Sequence, residues 1–113
     1  MKFRRKVQHG SETGKKIGFP TINLNVGNFK DHYKPGVFIS DVEINKKHYK
    51  GALYFGPKMN HKGNVLEVFI IDFSDSIYNK FISFSIDKKI RNPISFNNLE
   101  DLKKQIKKDL IDL

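Results

Sequence analysis

The longest apolar run of the chain, VLEVFIIDF at residues 65–73, carries a glutamate in its interior, and that interruption limits what the segment can be. The run is too short to cross a bilayer, which takes about twenty apolar residues in a helix. As a strand it puts Leu66, Val68, Ile70 and Asp72 on one face and Glu67, Phe69, Ile71 and Phe73 on the other. Glu67 then shares a face with aromatic and aliphatic side chains, where a carboxylate is costly unless it meets solvent, a partner or a ligand. The plain alternative is a glutamate that looks into water at the rim of a sheet.

The same two-residue period recurs along the chain. Residues 3–8 form a short basic strand, residues 21–24 a second, and residues 37–44, 48–55 and 80–89 three more. In residues 37–44 the pair Val37 and Ile39 is out of step with Val42 and Ile44, and a bulge between Ser40 and Asp41 would reconcile them. Asn45, Lys46 and Lys47 have turn character, Gly56-Pro57 breaks the next strand, and Arg91-Asn92-Pro93 ends the last. The polar residues 25–35 read as a loop long enough to act as a mobile flap. From Asn97 the period becomes helical, with Leu99, Leu102, Ile106, Leu110 and Leu113 on one stripe and Asn97 with Glu100 as a capping box. Lys103, Lys104, Lys107 and Lys108 then form its solvated face. Five or six strands followed by one helix predict a mainly β fold, an antiparallel barrel or sandwich with the helix at its side or mouth.

With 113 residues and no composition break, residues 1–113 are expected to form a single domain. There is no cysteine, so packing alone must hold it. The charged N-terminus lacks the apolar stretch of a signal peptide, and no later stretch is long enough for a membrane helix. A cytoplasmic protein without a membrane partner is expected. The net charge of +9, from 21 basic and 12 acidic residues, favours anionic partners, nucleotides and nucleic acid alike.

A second feature joins charge to geometry. Residues 9–23, HGSETGKKIGFPTIN, space Gly10, Gly14 and Gly18 evenly around Lys15 and Lys16. Glycines let backbone N–H groups approach a ligand closely, and a concave row of such donors suits phosphate. Pro20 stiffens the entry to the next strand, so that Thr21 and Asn23 leave one face two residues apart. Two neutral oxygens suit Mg²⁺, which takes its remaining ligands from phosphates and water. The pattern is no Walker A sequence, and a solvated glycine loop would look similar.

Taken together, HG-x3-G-x3-GFPT-x-N at residues 9–23, PGVF at 35–38, LEVFIIDF at 66–73, D-x-IY at 75–78, Arg91-x4-Phe96 and the terminal Leu99-x5-Gln105-Ile106-x2-Asp109 resemble the riboflavin kinase family. That family's module occurs alone or as the C-terminal half of bacterial bifunctional riboflavin kinase and FAD synthetase. The resemblance covers nearly the whole chain and implies a six-stranded antiparallel Greek-key barrel with a C-terminal α-helix. It implies transfer of the γ-phosphoryl of ATP to the riboflavin 5′-hydroxyl with Mg²⁺, giving FMN and ADP. Carried over residue by residue, Gly10, Gly14, Lys16 and Gly18 line the nucleotide phosphates, and Thr21 and Asn23 contact the nucleotide and hold the metal. Glu67 is the base for the ribityl hydroxyl. Arg91, Phe96, Gln105 and Asp109 lie at the flavin side.

The expected partners are small-molecule substrates, without nucleic acid, for a monomer or for part of a longer bifunctional chain; alone it would stop at FMN. Two other readings compete. One is a flavin-binding remnant with weak catalysis. The other is a basic barrel that binds nucleic acid through lysines and exposed aromatics at Tyr33, Tyr49 and Tyr54.

Overall fold

Alternation of apolar and polar residues becomes six strands: β1 (Lys2–Gln8), β2 (Thr21–Leu24), β3 (Gly36–Ile44), β4 (Lys47–Pro57), β5 (Asn64–Ile70) and β6 (Phe81–Arg91). The computed structural model describes residues 1–8, 21–57, 62–70, 77, 80–91, 104 and 108, with Thr21 and Arg91 described by backbone alone. The strands close into a barrel in the order β1-β2-β5-β4-β3-β6, and each is antiparallel to both neighbours. Closure leaves no unpaired sheet edge. Within it, β6-β3-β4-β5 has the spatial order of a Greek key. Of the C-terminal helix expected from Asn97, Lys104 and Lys108 are described, both helical, and the rest lies outside the described residues.

Inward positions build the core. Ile22 and Leu24 of β2, Phe38 and Val42 of β3, Leu53 and Phe55 of β4, Leu66, Val68 and Ile70 of β5, and Ile82 and Phe84 of β6 join one buried cluster. Strand β3 keeps strict alternation after all. Its even-numbered residues face inward, and Val37 and Ile39 are buried on the outer face, which is why the two apolar pairs look out of step. The expected bulge between Ser40 and Asp41 is therefore corrected. β3 pairs with β4 without interruption, and the extra residues lie across from it on β6, where one step of β3 spans two steps of β6 at Val37/Phe38 and at Ile39/Ser40. Ser40, fully buried at an inward position, donates its hydroxyl to the Ser85 carbonyl of β6 at 2.9 Å.

Turns fix the register. Asn45 and Lys46 both have positive φ, 51° and 68°, and join Ile44 to Lys47 as a two-residue hairpin whose twist matches the strands. Lys47 thus belongs to β4. The expected break at Gly56-Pro57 comes later, since β4 runs through Pro57, which stands opposite Asn64. A proline is tolerated there because it is the last residue of the strand.

The polar segment between β2 and β3 differs most from expectation. Phe29, in the 3-10 turn Phe29–Asp31, is fully buried and plugs one end of the barrel. Its ring lies 5.1 Å from Phe3, 4.9 Å from Tyr33 and 5.0 Å from Phe55. Arg5 ties the same segment down: its guanidinium donates to the Asn25 carbonyl at 3.1 Å and to Asn28 Oδ1 at 2.6 Å. The flap expected at residues 25–35 is an anchored plug.

Candidate active site

Strand parity decides which side chains reach the outer surface. In β2, Ile22 and Leu24 take the inward positions, so Asn23 between them occupies an outward one. In β5, Leu66, Val68 and Ile70 point inward, leaving Val65, Glu67 and Phe69 outside the core cluster. The β2–β5 register sets Asn23 opposite Glu67 and Thr21 opposite Phe69. Directly opposed residues on antiparallel strands present neighbouring side chains on one face. The glutamate singled out from the apolar run and the asparagine of the Thr-x-Asn pair are thus brought together, with the Thr21 backbone two residues along the same strand.

The ladder continues on both sides. Asn23 stands opposite Gln8 of β1, and Glu67 stands opposite Tyr54 of β4. Tyr54 pairs with Val37 of β3, which in turn pairs with Arg91, the last residue of β6. One position from every strand therefore falls on a single row: Gln8, Asn23, Glu67, Tyr54, Val37, Arg91. Residues 9–20 leave β1 at Gln8 and re-enter at Thr21, both ends lying on or beside this row. Arg91 has its register position here, and Gly10, Gly14, Lys16, Gly18, Phe96, Gln105 and Asp109 lie outside the described residues.

Glu67 is only 6% exposed, so it is not a rim glutamate looking into water. Its neighbour feels the charge. Burial first, and then the Glu67 carboxylate, push the Tyr54 phenol above its usual range. The Tyr54 hydroxyl donates to the Pro57 carbonyl, three residues further along. Among the described residues no three His, Asp or Glu side chains converge on a metal position. A cation at this site would need neutral oxygens such as those of Thr21 and Asn23 together with the oxygens of a bound phosphate, and that donor set suits a hard ion such as Mg²⁺.

Sequence reasoning did not select Gln8 or Val37, and it offered Tyr54 only as an exposed aromatic. Their place follows from register with Glu67 and Asn23, which no single segment contains. The tyrosines offered as a nucleic-acid surface are corrected: Tyr33, Tyr49 and Tyr54 are all half-buried, and Tyr33 and Tyr49 pack against the core.

The chain matches the Flavokinase family model, described as riboflavin kinase, over residues 1–113. It is 37% identical over 111 residues to the bifunctional riboflavin kinase/FMN adenylyltransferase of Haemophilus influenzae, an alignment that takes in 93% of this chain and 35% of that protein. The chain thus spans about a third of that relative's length. Among solved structures, one named a macrolide-efflux protein from Streptococcus pneumoniae superposes with a TM-score of 0.83 at 30% identity, over 97% of this chain and 37% of that one. The riboflavin kinase from Trypanosoma brucei superposes with a TM-score of 0.67 at 25% identity, over 97% of this chain and 74% of that one.

Proposed function

The chain belongs to the riboflavin kinase family, and from that premise we propose that it transfers the γ-phosphoryl group of ATP to the 5′-hydroxyl of riboflavin, giving FMN and ADP. The observation that carries this reading is the buried Glu67 set between Asn23 and Tyr54 on one ladder row. Phosphoryl transfer asks little covalent chemistry of a protein; it asks for positioned charge and a group to hold the attacking hydroxyl. Glu67 is the base: its carboxylate accepts the hydroxyl proton as the oxygen attacks phosphorus, and its shielding from water keeps it aimed at that hydroxyl. Asn23 and Thr21 offer oxygens to Mg²⁺, which would neutralise charge on the transferring phosphate. Gly10, Gly14, Lys16 and Gly18 cradle the phosphates from the connection that begins at Gln8. Arg91, Phe96, Gln105 and Asp109 face the flavin.

An incubation of the protein with riboflavin and MgATP, with products separated and detected by flavin fluorescence, tests the reading. FMN that forms only when metal and nucleotide are both present supports it. Absence of FMN overturns it, and riboflavin binding without turnover would mark a flavin-binding remnant instead.

A further inference from the structure

Exposure differs along the row. Glu67 is 6% exposed and Val37 is 9% exposed, whereas Asn23 on one side of the glutamate and Tyr54 on the other are half-buried. A molecule that reaches the carboxylate from outside meets Asn23 on the β2 side and the Tyr54 ring on the β4 side. The two sides are not equivalent. Next to Asn23 lie Gln8 and the ends of the glycine-rich connection, which is the phosphate side. Beyond Tyr54 lie Val37 and the register position of Arg91, three strand spacings or about 14 Å from Glu67.

Tyr54 is also fixed in place. Its hydroxyl donates to the Pro57 carbonyl, so the ring cannot swing freely about its side-chain bonds. Burial and the adjacent carboxylate keep the phenol protonated, so it adds no negative charge beside Glu67 at neutral pH.

Resting on the reading of this site as a riboflavin kinase, we propose that Tyr54 is the specificity-determining residue on the flavin side, its tethered ring forming the floor along which the ribityl chain lies to bring the 5′-hydroxyl to Glu67. An aromatic ring suits a polyol, because C–H groups of the chain pack on its face while the hydroxyls stay free to be hydrogen-bonded elsewhere.

The test compares Tyr54→Leu and Tyr54→Phe with the unaltered protein in steady-state assays varying riboflavin and MgATP separately, with riboflavin affinity measured by quenching of flavin fluorescence. Tyr54→Leu is expected to raise the riboflavin KM and Kd by about tenfold while the MgATP KM stays within about twofold. Tyr54→Phe, which restores the ring, is expected to recover most of the riboflavin affinity, a rescue that holds the proposal open to disproof even if the leucine variant folds poorly. The proposal is overturned if either variant raises both KM values alike, if Tyr54→Leu leaves riboflavin binding unchanged, or if Tyr54→Phe binds as weakly as Tyr54→Leu. If the unaltered protein forms no FMN, the kinase reading itself fails.

Discussion

At the scale of single residues, the part of the candidate site that could be read in advance is the part that stands out within its own segment. Replacing Glu67 by glutamine keeps the shape of a side chain that is 6% exposed but removes the proton acceptor. Glu67→Gln is therefore expected to bind MgATP as before in calorimetry and to lose about 10²–10⁴-fold in kcat, the usual weight of general base catalysis. Full activity in that variant would remove the base assignment. Glu67 and Asn23 were legible because each stands out within its own segment, one as a charge inside an apolar run and the other in a Thr-x-Asn pair behind Pro20. Tyr54 was not. Its significance lies in standing opposite Glu67 across a strand pair, and nothing local to residues 48–55 carries that information.

At the scale of elements, the two-residue period located all six strands, with ends off by a few residues where a turn was tighter than its composition implied. Residues 45–47 contain three polar residues, yet the hairpin needs only Asn45 and Lys46, both at positive φ. The bulges escaped because an extra residue on β6 leaves the sequence of β6 looking ordinary. Between β2 and β3 the failure had another cause: one phenylalanine among polar neighbours resembles a surface residue until the barrel end it fills is known. Phe29→Ala is expected to destabilise the fold by about 3–5 kcal/mol, the cost of emptying a fully buried aromatic site, read as a lower midpoint in urea unfolding. An unchanged midpoint would mean that the plug contributes no packing. Close packing shows elsewhere too, as a Cβ on Gly51 would lie 2.9 Å from Val68 Cγ1 and 3.1 Å from the Phe69 carbonyl.

At the scale of the whole molecule, the net charge of +9 is interlaced with acidic partners across the strands. Lys2 Nζ meets Glu43 Oε1 at 2.9 Å, and Lys50 Nζ meets Asp87 Oδ2 at 2.6 Å. The hydrogen bond that Lys50 donates to Asp87 holds its ammonium above its usual range, and burial with the Glu67 charge does the same for the Tyr54 phenol. Both groups hold their protons more tightly folded than unfolded, so their contribution is fully present below about pH 10 and is lost as pH rises through the folded values. The urea midpoint is accordingly expected to fall as pH rises above about 10, and Tyr54→Phe is expected to flatten that fall. An equally steep fall in the variant would clear Tyr54 of any part in it. On the acid side, hydrogen bonding to Lys2 lowers the Glu43 carboxyl, a contribution present at neutral pH and lost as pH falls through its folded value. That pair is exposed and adds little. No helix among the described residues is long and apolar enough to cross a membrane. The filled interior has a consequence for how such a chain can change over generations. The core cluster draws on the inward positions of each strand and the proposed site on outward ones, so exchanges along the outward row would retune which substrate fits while leaving that cluster intact. Under that reading, alternate letters of one strand answer to different demands, the inward ones to the shared core and the outward ones to what lies against the barrel wall.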